Sequence, residues 1–212
     1  MALLVPALMH HGSDPHPETR VPTSVAISVV LLILYFLSLL FTLRTHAHLY
    51  AVEAEAVRDN PWSRRKAVVV LLLATLGVGV VAEILVAEIH GAVRDLGLSP
   101  VFLGVIVVAV VGNAAEHSTA VLMAMRDKMD LALHIAVESS RQVALFVAPV
   151  LVLAGLVVGQ PMDLVFSELE VVAVAVSAGA ITLVALDGES NWLEGAMLVA
   201  VYLVLGVAFY FA

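Results

Sequence analysis

From Val25 to Leu43 the chain carries no charged side chain, and the stretch is bounded by Pro22 and Arg44. A helix that crosses ~30 Å of hydrocarbon at ~1.5 Å per residue needs ~20 apolar residues, so this segment reads as a membrane span. Five more follow: Ala67 to Ile89, Val101 to Met125, Leu131 to Leu156, a weaker one from Leu169 to Leu186, and Leu193 to Phe211. They are Ala- and Val-rich, lack period-2 alternation and far exceed the ~10 residues of a barrel strand, which selects helices over a β-barrel. The expected fold is all-α: a polytopic membrane helix bundle of about six transmembrane helices, with residues 1–212 forming a single membrane unit. At 62% hydrophobic and 13% charged, with mean hydropathy +1.06, a water-soluble globule is excluded.

Charge sets the expected orientation. Arg44, Arg58, Arg64, Arg65 and Lys66 precede the second span, and Arg126 and Lys128 follow the third, whereas the opposite side offers Arg20 and Arg94. The positive-inside rule then places both termini on the non-cytoplasmic side, with 44–66 as a cytoplasmic acidic linker. Within it, Val52 to Asn60 reads either as a brief amphipathic surface helix or as a solvated connector. Met1 to Met9 is too short to span and lacks signal-peptide features, so it reads as the tail of an incomplete helix. The acidic balance, 18 Asp and Glu against 10 Lys and Arg, argues against a nucleic-acid partner. The absence of cysteine removes disulfides, thiolate nucleophiles and Cys-ligated metals.

Seven polar residues interrupt spans that had no need of them: Glu83, Glu116, His117, His134, Glu138, Arg141 and Gln142. A charge at the membrane centre costs at least ~2.5 to 3.5 kcal/mol, so such groups face an aqueous cavity, a partner charge or an ion path. The densest cluster is Gly112-Asn113-Ala114-Ala115-Glu116-His117. Gly112 loosens the helix, the alanines permit close approach of a neighbour, and Asn113 and Glu116 share a face at i, i+3. Their oxygens suit a hard cation, and calcium wants ~6 to 8 of them, so the motif supplies half a cage. The alternative is an interhelical hydrogen-bond clamp. A carboxyl in low dielectric holds its proton more tightly and can trade it for a cation near neutral pH, which is exchange chemistry. Glu83 is a second carboxylate, for a proton route or cation exit path or for a structural bond. His117 points ~100° round the helix from Glu116, as proton relay or packing histidine.

In the fourth span Ser139, Ser140 and Gln142 either complete a cation site or tie helices together. His134, Glu138 and Arg141, at i, i+4 and i+7, form one polar stripe that cannot face lipid cheaply, and Glu138 can pair with Arg141. No G-x-S-x-G, H-E-x-x-H, Walker or G-x-G-x-x-G motif is present, which argues against an enzyme. His10, His11 and His16 form a loose imidazole cluster, read as a weak metal binder or an unstructured loop. No cofactor is expected.

The run GNAAEHSTAVLMAMRDKMDLAL followed by SSRQVALFVAPVLVL resembles the second conserved repeat of the calcium/proton antiporters, the cation/proton exchanger branch of the calcium/cation antiporters. THAHLY (Thr45 to Tyr50) resembles the end of the family's sixth helix, PMDLVFSELE (Pro161 to Glu170) the entry to the tenth, and DGESNWLEG (Asp187 to Gly195) the stretch before the last, in order and spacing. The resemblance implies a calcium/proton antiporter in which Glu116 binds cation and proton competitively, Asn113, Ser140 and Gln142 add oxygens, and Glu83 and His117 line an access or relay path. It implies membrane lipid, a divalent cation and protons as partners, in the cell (inner) membrane. Calcium, manganese and magnesium all accept oxygen cages. The family's first repeat has no counterpart here, so the chain resembles the C-terminal half of an inverted-repeat antiporter that needs a complementary first-half chain. The stripe His134, Glu138 and Arg141 stands where the family pattern looks small or apolar. Either Arg141 closes the cation site, leaving a non-transporting scaffold or remnant, or Glu138 neutralises it and the site survives.

Overall fold

The computed structural model describes residues 17–46, 62–186 and 188–212. The expectations for 1–9, His10, His11, His16 and 52–60 lie outside the described residues. Those that are described form helices and loops, with no strand among them. Five helices are long and apolar enough to cross a membrane, or six if the pair interrupted at Asn113 is one span.

The helices are α1 (Arg20–Leu40), extended by a π-helical turn at Phe41–Thr45; α2 (Arg64–Leu96); α3 (Pro100–Gly112); α4 (Ala114–Ala124); α5 (Met129–Val158); α6 (Glu168–Ala185); and α7 (Trp192–Phe211). Several starts are written locally. Ser63 Oγ accepts the Lys66 N–H at 3.3 Å and Ser99 Oγ that of Phe102 at 3.1 Å. Ser167 and Glu170 close a reciprocal capping box ahead of α6, and Asn191 Oδ1 accepts from Leu193 and Glu194 ahead of α7. Each satisfies helix-end N–H groups that lipid cannot.

The predicted third span, Val101 to Met125, is not one straight helix. Asn113, with φ −102 and ψ 16, separates α3 from α4. A window average across the span does not register this break, because it passes the hydropathy test as one stretch.

The described residues divide into two compact units. One lies within Met1–Ala47 and Ala114–Leu205. In it α4 packs against the first half of α5, Met129–Gln142, as an antiparallel hairpin, and α1 packs along the second half, Ala148–Val158. The hairpin turn places Asp127 at φ 60, a left-handed conformation that Asp tolerates, with the Asp127 N–H on Ala124 O and the Lys128 N–H on Met123 O, both at 3.0 Å. The halves of α5 meet at a π-helical turn, Val143–Val147, just before Pro149. Proline lacks an N–H and its ring crowds the preceding turn, which the wider turn accommodates. There Phe146 stacks on Tyr35 of α1, with ring centroids 4.9 Å apart.

This unit's packed centre is small: Ser24, Ser28 and Leu31 of α1, Pro149 and Val152 of α5, and Leu164 of the following loop. The Leu164 N–H donates to Ser24 Oγ at 2.9 Å in a buried bond. Losing that acceptor would strand a buried amide at a cost of ~1 to 3 kcal/mol. The loop is also held at Gly155, whose carbonyl accepts the Gln160 N–H at 2.8 Å while Gly159 turns the chain at φ 75.

The other unit lies within His48–Asn113 and Gly206–Ala212. It contains α2, α3 and the end of α7, where Tyr210 meets Phe102 edge-on at 5.5 Å. Between Arg64 and Ile89 none of the most apolar window of α2 is buried.

Candidate functional site

At the start of α4, two donors of Asn113 turn back on one carbonyl: its backbone N–H reaches Ala109 O at 3.1 Å and its side-chain Nδ2 the same oxygen at 2.9 Å. That bond fixes the amide so that Oδ1, the atom a hard cation would seek, turns away from Ala109. The side chain is half-buried.

Glu116 falls in the first turn of α4 and is also half-buried. A helix N-terminus carries positive partial charge, so a carboxylate is favoured there. The break at Asn113 therefore creates, inside an apolar stretch, a helix start that stabilises an acid. Beyond it Ser118 Oγ and Thr119 Oγ1 donate to Ala114 O at 2.6 Å and Ala115 O at 2.8 Å, so those hydroxyls close on their own helix. His117 is exposed on a different side of α4.

Counted outward from the hairpin turn, Glu116 is level with Val137 and Glu138 of α5. On that helix Ser140 Oγ donates to Ala136 O at 3.0 Å, and Ser140 and Gln142 are exposed while Ser139 is half-buried. Glu138 and Arg141 form an ion pair, with side chains 36% and 39% exposed, so Arg141 directs its charge along its own helix. His134 is half-buried one turn before them.

The hairpin thus joins Glu116 to the helix bearing Ser140, Gln142 and the polar stripe. Glu83 is exposed on α2 and, with Asn113, belongs to the other unit. Among the described residues no three His, Asp or Glu side chains converge as a metal-binding group. Three acids escape the sequence reading. Glu88 is a second exposed carboxylate on α2, while Asp130 and Glu189 line a cleft at the turn end of α5. Asp130 and Glu189 stand at span ends, where an acid carries no membrane penalty and draws no notice; the signal for Asp130 is its i−4 spacing to His134.

Apolar helices of this length and number define an integral multi-pass membrane protein. Residues 66–211 match the sodium/calcium exchanger protein family, and the chain belongs to that family. It is 44% identical over 227 residues to a Ca(2+)/H(+) antiporter of Aphanothece halophytica, covering all of this chain and 61% of the relative. It is 40% identical over 214 residues to the Ca(2+)/H(+) antiporter ChaA of Bacillus subtilis, covering 99% and 60%. The solved structure of native YfkE superposes with a TM-score of 0.83 at 35% identity, covering the whole chain and 59% of that protein. The chain spans about 60% of the length of the relatives it matches. These relatives are named as transporters, not enzymes.

Proposed function

We propose that this chain forms one half of a divalent cation/proton antiporter, with calcium as the favoured cation, completed by a first-half chain. The observation that carries the reading is the half-buried Glu116 in the first turn of a helix that begins at a mid-span break. Cation and proton compete for that carboxyl, Asn113, Ser140 and Gln142 contribute oxygens, and Glu83 and His117 serve access. Residues 1–212 act as a single membrane unit in the cell (inner) membrane, termini outside, as the seven-to-two Lys and Arg bias supports. No cofactor takes part. The test is calcium uptake by vesicles under an imposed pH gradient, with and without a co-expressed first-half chain. Uptake only when both are present is expected; proton-independent leakage, or no uptake in either case, overturns the reading.

The Glu138–Arg141 ion pair supports a working site over one closed by Arg141. Glu138→Gln releases the guanidinium one turn from the level of Glu116, and calcium affinity should fall about tenfold, the equivalent of ~1.4 kcal/mol. Adding Arg141→Gln should restore it, because the two residues act as a unit. If Arg141→Gln alone creates calcium binding where the natural chain has none, the scaffold reading replaces this one.

A further inference from the structure

At the turn end of α5 a cleft of about 350 Å³ lies between that helix, the last turn of α6 and residues 188–190. Asp130, Leu133, His134 and Val137 line one side, and Val184 and Glu189 the other. At ~30 Å³ of liquid volume per molecule such a space holds about ten waters, and its acids and imidazole give them partners. Asp130, His134, Glu138 and Arg141 recur at i, i+4, i+8 and i+11, one row on one face of α5. Beyond Val137, which lines the cleft, the row continues to the Glu138–Arg141 pair, more than a third exposed at the level of Glu116. Against lipid that exposure would cost several kcal/mol even for a paired charge.

We propose that this face of α5 is a water-filled access track, which admits water and hydronium from the side of the 125–128 turn as far as the Glu138–Arg141 pair. Asp130 and His134 are protonatable stations along it, and the ion pair ends it beside the hairpin partner that bears Glu116. The track is separate from the route through Glu83. It rests on the antiport reading only for its purpose, since water access itself needs no transport.

The chain has no native cysteine, so single cysteines report without background. His134→Cys, Val137→Cys and, as the marker of the turn side, Lys128→Cys are treated in sealed vesicles with a charged, membrane-impermeant methanethiosulfonate. A thiol reacts as its thiolate, and each unit by which an apolar setting raises its pKa slows it about tenfold. Expected is labelling at positions 134 and 137 from the same side as Lys128→Cys. Ala185→Phe, which fills the cleft, should slow labelling of Val137→Cys by about tenfold. If His134→Cys and Val137→Cys are inert while Lys128→Cys reacts, the track does not exist. Val137→Cys is the smaller change and settles the matter if His134→Cys fails to fold. Labelling without calcium exchange would overturn the proposed function and leave the track standing; exchange without labelling would do the reverse.

Discussion

Glu116→Gln should abolish calcium-dependent stabilisation while leaving the calcium-free protein about as stable as the natural chain. Glutamine keeps the size and hydrogen-bonding reach of the carboxyl and removes its charge and exchangeable proton. The helix-start contribution lost with the charge is ~0.3 to 1 kcal/mol, too small to unfold the hairpin. The ligand contribution is larger. Any species that binds the folded chain alone stabilises it by RT ln(1 + [L]/Kd), ~2.7 kcal/mol at a hundredfold excess over Kd. Thermal unfolding of purified protein, with and without millimolar calcium, measures both quantities, and vesicle uptake under a pH gradient measures the coupled step. Stabilisation by calcium that survives Glu116→Gln contradicts the assignment of the cation carboxyl. A hydrogen-bond clamp, by contrast, predicts no calcium response in either protein.

A second large effect is expected far from any charge, at Gly155. A Cβ there would lie 2.6 Å from Gln160 O and 3.4 Å from Met162 N, both backbone atoms of the loop that returns over the end of α5. That loop cannot simply swing away, since Leu164 is 2% exposed and its N–H is fastened to Ser24 Oγ. Gly155→Ala should therefore destabilise the first unit by ~1 to 3 kcal/mol, the usual cost of forcing atoms into filled space. Gly179→Ala in α6 is the matching control, because a Cβ there meets nothing within 4 Å. It removes a helical glycine and should be neutral or stabilising by up to ~1 kcal/mol. The comparison is made by thermal midpoints in detergent, and equal midpoints for the two variants would show that the loop yields.

Much of the architecture is legible in the chain because lipid tolerates so few choices. Long apolar runs mark the helices, and serine or asparagine three residues ahead of an N–H that needs a partner marks their starts, as at Ser63, Ser167 and Asn191. The Glu138–Arg141 pair is likewise readable from its i, i+3 spacing. The interruption of the third span is half-readable. Gly112 announces a loose helix, but the break depends on Asn113 bonding Ala109 O with its side chain, an event that a hydropathy average does not contain. The cleft at Asp130 and Glu189 is not readable at all, because it joins residues from two helix ends that are distant in sequence.

The π-helical turn at Val143–Val147 has a geometric consequence for α5. In an uninterrupted α-helix, eighteen residues make five turns, so Val152 would stand directly in line with His134. The extra residue of the turn advances everything beyond it by ~100°. The charged row of the first half is thereby rotated out of line with Val152, which is fully buried in the half that packs along α1. One helix thus presents two differently aimed sides, and a regular α-helical turn at 143–147 with every residue kept would realign them, pointing an ion pair and a dry seam in the same direction.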